Sequence, residues 1–221
     1  MEDFADARRK MVDSQLRTEG VTDHAILAAM GVVPREVFVP ARQRALAYLD
    51  MDIPLRDGSG IQRYLISAAP LARLLQLADL GPADRVLVVG AGTGYAAAVL
   101  SRLAAGVVVL ESDPALSMQA ARNLSDLDIP NVDLAVGPLD AGWPAGGPYD
   151  IIVIDGAIET TPETLLDQLK EGGRMVAVIG YGRTGTATLF AKSGGRVGRR
   201  PAFDASLPPL PGFRKPEVFV F

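Results

Sequence analysis

The chain has 221 residues, with 22 Lys+Arg against 26 Asp+Glu for a formal net charge of −4, and 48% of it is hydrophobic. That balance excludes a strongly basic nucleic-acid binder and an intrinsically disordered chain. With no cysteine and one histidine, disulfide frameworks, thiolate metal sites, cysteine nucleophiles and His-rich metal sites are excluded too, and no metal is expected. At roughly 150 residues per domain the length predicts one domain over 1–221. The N-terminus Met1-Glu2-Asp3-Phe4 is charged where a signal peptide needs an apolar run, and no apolar stretch approaches the ~18 residues of a membrane span. The expectation is a cytoplasmic chain with neither membrane nor nucleic acid as partner, its oligomeric state open.

Residues 1–80 read as a helical extension. Phe4, Ala7, Met11 and Leu16 recur at near-helical spacing, Ala25, Leu27, Ala28 and Met30 follow a Thr22-Asp23 helix start, and Gly20 and Gly31 punctuate the two. Val33-Pro34 begins a bend, the polar stretch Asp50–Gly60 reads as loop, and Leu71, Leu74 and Leu75 mark another amphipathic helix. From Arg85 the pattern changes to short apolar runs. Val86–Val89, Val107–Leu110, Val132–Val136, Ile151–Ile154 and Met175–Ile179 are the predicted strands, with Tyr95–Leu103, Pro114–Leu127 and Pro162–Lys170 as helical crossovers. Unbroken apolar strands alternating with helices predict an α/β fold over 81–180, a doubly wound, mostly parallel sheet covered on both faces. Residues 181–221, with Pro208-Pro209-Leu210-Pro211 and the terminal Val218-Phe219-Val220-Phe221, read as irregular chain plus edge strands.

The candidate site begins where Val86–Val89 runs into Gly90-Ala91-Gly92-Thr93-Gly94-Tyr95. Glycines in a strand-to-helix turn permit positive φ and let a ligand touch backbone. A dinucleotide fingerprint G-x-G-x-x-G needs its third glycine at position 95, where Tyr95 stands; the spacing Gly90, Gly92, Gly94 favours S-adenosylmethionine over NAD. Glu111 ends the next strand, 21 residues after Gly90, where a carboxylate can accept from both ribose hydroxyls of either cofactor. The bland alternative is that the glycines only make a tight turn and Glu111 caps the following helix beside Asp113. Asp155, in the turn Asp155-Gly156-Ala157 after Ile151–Ile154, is a candidate for the cofactor or substrate rim, or else a helix cap. His24 reads as a surface or capping residue and Trp143 as packing.

The strings Met11-Val12-x-x-Gln15-Leu16, Gly20-Val21-x-Asp23, Val33-Pro34-Arg35-Glu36-x-Phe38-Val39-Pro40 and Ala47-Tyr48-x-Asp50 resemble protein-L-isoaspartate O-methyltransferases. The resemblance continues through the glycine turn, Asn131-Val132, Gly142-Trp143-Pro144, Pro148-Tyr149-Asp150 and Gln168-Leu169-Lys170-x-Gly172-Gly173-Arg174, nearly the whole chain. It implies the Rossmann-like fold of S-adenosylmethionine-dependent methyltransferases and a cytoplasmic repair enzyme. That enzyme moves a methyl group from S-adenosylmethionine, leaving S-adenosylhomocysteine, to an isoaspartyl carboxylate of a damaged protein or peptide. A carboxylate is already a nucleophile at neutral pH, so no general base is required.

Three positions depart from the family pattern. The family's substrate loop reads Gly-Gln-Thr-Ile-Ser-Gln-Pro, and alignment back from Leu74-Leu75 puts Ile61 and Arg63 where Thr and Ser belong. Val88 replaces an acid two residues before the glycine turn, and Gly137-Pro138-Leu139 replaces a Gly-Asp-Gly unless Asp140 reaches in. Within the altered loop Arg63 offers a planar fork for the acceptor carboxylate, with Tyr64 or Ser59 as hydroxyl donor, or else Arg63 is solvated or pairs with Asp57. The alternatives that follow are a methyltransferase with a different carboxylate acceptor, or a catalytically decayed binding or regulatory protein.

Overall fold

A computed structural model describes residues 4–55, 62–180 and 185–214. Its centre is a seven-stranded sheet in the order β5-β4-β3-β6-β7-β8-β9. The strands are β3 (Arg85–Val89), β4 (Gly106–Glu111), β5 (Val132–Val136), β6 (Tyr149–Ile158), β7 (Leu169–Ile179), β8 (Thr186–Ser193) and β9 (Arg196–Asp204). The first five are parallel, and β8 and β9 append antiparallel. Helices α3 (Ala68–Ala78), α4 (Tyr95–Leu100), α5 (Pro114–Asp126) and α6 (Glu163–Asp167) serve the connections. Val86, Val88, Val107, Val109, Ile151 and Val153 pack in one buried cluster, whereas Leu87, Val89, Val108, Leu110, Ile152 and Ile154 pack in the other. This strict alternation, apolar on both sides, is why the strands read as unbroken apolar runs.

The N-terminal extension contains α1 (Phe4–Met11), a π-helical turn Val12–Leu16 and α2 (His24–Val32), then two 3-10 turns and the short hairpin β1 (Ile53–Pro54) and β2 (Tyr64–Leu65). Asp23 caps α2 as its Thr22-Asp23 signal predicts, its Oδ1 accepting from the N–H of Ala25 at 2.8 Å and Ile26 at 3.1 Å. Gly31 lies inside α2 rather than ending it. His24, first in the helix, is exposed.

Two expectations are corrected by pairing outside the predicted elements. The crossover expected over Pro162–Lys170 is helical only over Glu163–Asp167, because Gln168 is captured by the Trp143 loop. Gln168 donates from Nε2 to Ala141 O at 2.9 Å and accepts from the Trp143 N–H at 2.9 Å, and the Tyr149 N–H donates to its carbonyl at 2.9 Å, starting β7. Asp155-Gly156-Ala157 is not a turn but the end of β6, with a register shift between Val153 and Ala157. The segment Leu207–Phe213 satisfies that stretch: the Ala157 N–H donates to Pro208 O at 2.9 Å and the Leu210 N–H to Ala157 O at 2.8 Å. The Val218–Phe221 strand lies outside the described residues. None of the described helices is long and apolar enough to cross a membrane.

Candidate active site

Strand register puts three candidate residues side by side. Val89 of β3 pairs with Leu110 of β4 on one side and Ile154 of β6 on the other, so the next residues, Gly90, Glu111 and Asp155, form a row across three strand ends. Strand order reverses at β3, and such a switch point at the carboxyl edge is where open α/β sheets take ligands. By alternation, Glu111 and Asp155 lie on the face of Val109 and Val153, toward the N-terminal extension.

The three glycines divide their work. Gly90 and Gly92 adopt φ of 81° and 57°, and a Cβ would meet Leu210 at 2.8 Å on the first and Leu55 at 2.6 Å on the second. Gly94 faces the other way, against Ala120 of α5, where a Cβ would approach at 3.3 Å. Ala91 packs in the apolar core. Thr93 is also turned inward: its Oγ1 donates to Phe38 O at 2.5 Å, and Asn123 Nδ2 donates to its carbonyl at 2.9 Å. Gly90 and Gly92 therefore let Leu210, Arg63 and Leu55 approach the backbone closely, while Ala91, Thr93 and Gly94 fix the turn against α5 and the extension.

Glu111 is fully buried, with 0% exposure, and every contact it makes is internal. Its Oε2 accepts from the Gly92 N–H at 2.9 Å, and Oε1 accepts from the N–H groups of Ser112 at 2.8 Å and Asp113 at 3.0 Å. Arg63 completes the set: Nη1 donates to Glu111 Oε1 at 2.5 Å and Nη2 to Gly90 O at 2.8 Å. The guanidinium is brought to the glycine crevice and is 4% exposed, not solvated. Its partner is Glu111, at the end of β4, and not a substrate group. Ser59 and Asp57 lie outside the described residues.

Asp155 is 7% exposed and its Oδ1 has no hydrogen-bond partner. Burial pushes its carboxyl up to about 7, against the pull of Arg63 and then Arg35, with Glu111 and Asp52 pushing further upward. A carboxyl whose folded pKa lies above its unfolded value binds more protons when folded. Its favourable contribution is therefore complete below about pH 4 and lost as pH rises through about 7. Asp155→Asn should match wild type near pH 4 and gain relative stability up to pH 8, by at most roughly 4 kcal/mol for three pKa units. Urea unfolding of both proteins at pH 5 and pH 8 checks this; a pH-independent difference would contradict it.

Sequence reasoning missed the cluster behind Asp155. Arg35 is fully buried; its Nε donates to Ala47 O at 2.7 Å and Nη2 to Ile66 O at 2.5 Å, with the guanidinium carbon 4.8 Å above the Tyr95 ring. Arg35 Nη1 and the Tyr95 hydroxyl join Asp155 Oδ1 among the buried side-chain atoms without a hydrogen-bond partner. The signal was present in Val33-Pro34-Arg35, where a charged residue stands in an otherwise apolar bend. Also missed was the Ile66-Ser67 pair immediately before α3. It repeats the Ile-Ser of the family's loop four residues later than the alignment back from Leu74-Leu75 placed it, and the Ser67 N–H donates to Asp52 Oδ1 at 2.7 Å. Trp143 is half-buried and packs on the core, accepting at its carbonyl from the Tyr149 hydroxyl at 2.6 Å. Asp140 is exposed and lies beside Gly212.

Bare glycine backbone and a buried carboxylate at the end of the adjacent strand fit the chemistry of an adenosyl ligand. Arg63, Leu55 and Leu210 lie across that surface here. Among the described residues no group of acidic or histidine side chains could hold a metal. The sheet order, glycine turn and strand-end acid define an S-adenosylmethionine-dependent methyltransferase.

Comparison with known proteins narrows the class. The model of the protein-L-isoaspartate(D-aspartate) O-methyltransferase family matches residues 7–205. The protein-L-isoaspartate O-methyltransferase of Koribacter versatilis (strain Ellin345) is 39% identical over 210 residues, 95% of this chain and 92% of its own. Protein-L-isoaspartate O-methyltransferase 1 of Rhodopseudomonas palustris (strain HaA2) is 43% identical over 177 residues, 80% of this chain and 71% of its own. A solved protein-L-isoaspartate O-methyltransferase superposes with a TM-score of 0.81 at 30% identity, covering 93% of this chain and 66% of that one. A structure of that family name from Plasmodium falciparum, in complex with S-adenosyl-L-homocysteine, shares the fold with a TM-score of 0.76 at 20% identity, covering 90% of this chain and 96% of its own. The chain belongs to the protein-L-isoaspartate(D-aspartate) O-methyltransferase family.

Proposed function

We propose that this chain methylates the isoaspartyl carboxylate of damaged proteins in the cytoplasm, using S-adenosylmethionine. The observation that carries the proposal is the row Gly90, Glu111 and Asp155 at the switch point, with Glu111 held rigid by the amides of Gly92, Ser112 and Asp113. A carboxylate so fixed is held by backbone in one orientation at the strand end. S-adenosylmethionine, when bound, supplies a methyl group on a sulfonium, an electrophile that a carboxylate oxygen attacks directly.

What the protein adds is alignment and exclusion of water. The β1–β2 hairpin covers the glycine turn: Leu55 donates its N–H to Arg63 O at 2.8 Å and sets its side chain over Gly92. Leu210 closes the other side over Gly90 and Gly156. A cavity of about 820 Å³ opens beside this lid, bordered by Gln62, Tyr64, Leu210 and Arg214, large enough for a peptide side chain and its flanking backbone. With both nucleophile and leaving group supplied by the reactants, no side chain has to move a proton.

Calorimetric titration checks the cofactor class: S-adenosylhomocysteine should bind with one-to-one stoichiometry and NAD should give no heat. Binding of NAD, or silence with both, would contradict the assignment of the crevice.

A further inference from the structure

Arg63 is placed where it obstructs the site that the proposed function requires. Its Nη1 takes Glu111 Oε1 at 2.5 Å, an oxygen that already accepts two backbone N–H groups, and Oε2 holds the Gly92 N–H. A carboxylate offers about four lone-pair positions. Oε1, with two of those positions, already carries Arg63 and two backbone donors, so a ribose hydroxyl reaches this oxygen only once Arg63 leaves. The guanidinium is 4% exposed, so leaving Glu111 without another anion would strand a buried charge.

A second carboxyl stands in the same row. Gly90, whose carbonyl takes Arg63 Nη2 at 2.8 Å, lies between Glu111 on β4 and Asp155 on β6, one strand away on either side. Adjacent strands lie about 4.8 Å apart, so the backbones of Glu111 and Asp155 stand roughly 10 Å apart on either side of the residue whose carbonyl Arg63 grips. Both point to the same face. Asp155 is buried with an unpartnered Oδ1, and Arg63 is the cation that pulls hardest on it.

Resting on the proposed cofactor, we infer that Arg63 is a two-position gate: it covers Glu111 while the crevice is empty of ligand and moves to Asp155 when a ribose takes Glu111. Gly90 O is the pivot common to both positions. Asp155 is thereby a positioning residue that touches no reactant and acts through Arg63. Its unpaired oxygen is the vacated end of a contact made in the ligand-bound state, which accounts for an otherwise costly buried group. Closed, the gate also keeps water and stray anions off a crevice lined by bare backbone.

The test is a four-protein titration with S-adenosylhomocysteine: wild type, Arg63→Gln, Asp155→Asn and the double variant. Removing the gate should tighten binding about tenfold. Removing its second station should weaken binding about fivefold in the wild-type background and leave it unchanged in the Arg63→Gln background. Equal affinity of wild type and Arg63→Gln, or an Asp155→Asn effect that persists without Arg63, overturns the gate while leaving the cofactor assignment intact. Failure of all four folded proteins to bind the ligand overturns the cofactor assignment and the gate with it. A crystal structure of the wild-type protein with S-adenosylhomocysteine decides the matter independently of the variants. Arg63 within hydrogen-bond distance of Asp155 supports the gate, and Arg63 still on Glu111 or released to solvent refutes it.

Discussion

Glu111→Gln is expected to destabilise the ligand-free protein by roughly 3–5 kcal/mol, because it removes the anion facing a guanidinium that is almost wholly buried. At this chain length that corresponds to a fall in Tm of about 10 °C. The loss belongs to the pair rather than to the acid: adding Arg63→Gln to Glu111→Gln should recover most of it, since no charge is then left without a partner. Denaturant unfolding of the two single variants and the double variant measures the coupling. Simple additivity of the single losses would show that the buried ion pair is not the source. The same substitution should weaken S-adenosylhomocysteine binding by roughly 1.5–3 kcal/mol, the scale of a lost charged hydrogen bond.

Arg35→Ala should be as damaging to the fold. Arg35 ties together three segments that share no backbone pairing: the Ala47 carbonyl, the Ile66 carbonyl and the ring of Tyr95 in α4. Truncation leaves two buried carbonyls unsatisfied and removes a cation from the face of an aromatic ring, together about 3–5 kcal/mol. Arg35→Lys should not restore it, because one ammonium cannot span two carbonyls on separate segments while stacking on a ring. Losing this cation also pushes the Asp155 carboxyl further upward, since Arg35 is one of the charges that holds it down. Denaturant midpoints of Arg35→Ala and Arg35→Lys check the expectation; a Lys variant as stable as wild type would refute the clamp.

The strand, glycine turn and strand-end acid of the candidate site were legible in the residues. The run Val86–Val89 followed by Gly90, Gly92 and Gly94, with Glu111 at the next strand end, is local information, and the structure places Gly90 and Glu111 in one row. The register of the substrate loop was harder to read. Counting back from Leu74-Leu75 treats the distance to α3 as fixed, while Ile66-Ser67 at the start of that helix offers the family's Ile-Ser directly. Arg63 was expected to hold the acceptor carboxylate, or else to be solvated or paired with Asp57; that it bonds Glu111 depends on how a hairpin folds over a turn from a different part of the chain, which spacing does not encode. Asp155 was read as a turn residue because Gly156 follows it. Pairing of Ala157 and Ile158 with Val178 and Ile179 of β7, with Leu207–Phe213 docked on the other side, carries the strand through that dipeptide. Arg35 and Tyr95 are 60 positions apart, and no local pattern announces their contact.

The most direct test of the account is methyl transfer itself. The protein is incubated with S-adenosylmethionine labelled in its methyl group and a peptide containing one L-isoaspartyl residue, beside the same peptide with L-aspartate. The account predicts base-labile label on the isoaspartyl peptide and none above background on its aspartyl twin, with S-adenosylhomocysteine inhibiting competitively against the methyl donor. No label on the isoaspartyl peptide under conditions where the protein is folded and binds the donor, or equal label on both peptides, would contradict it.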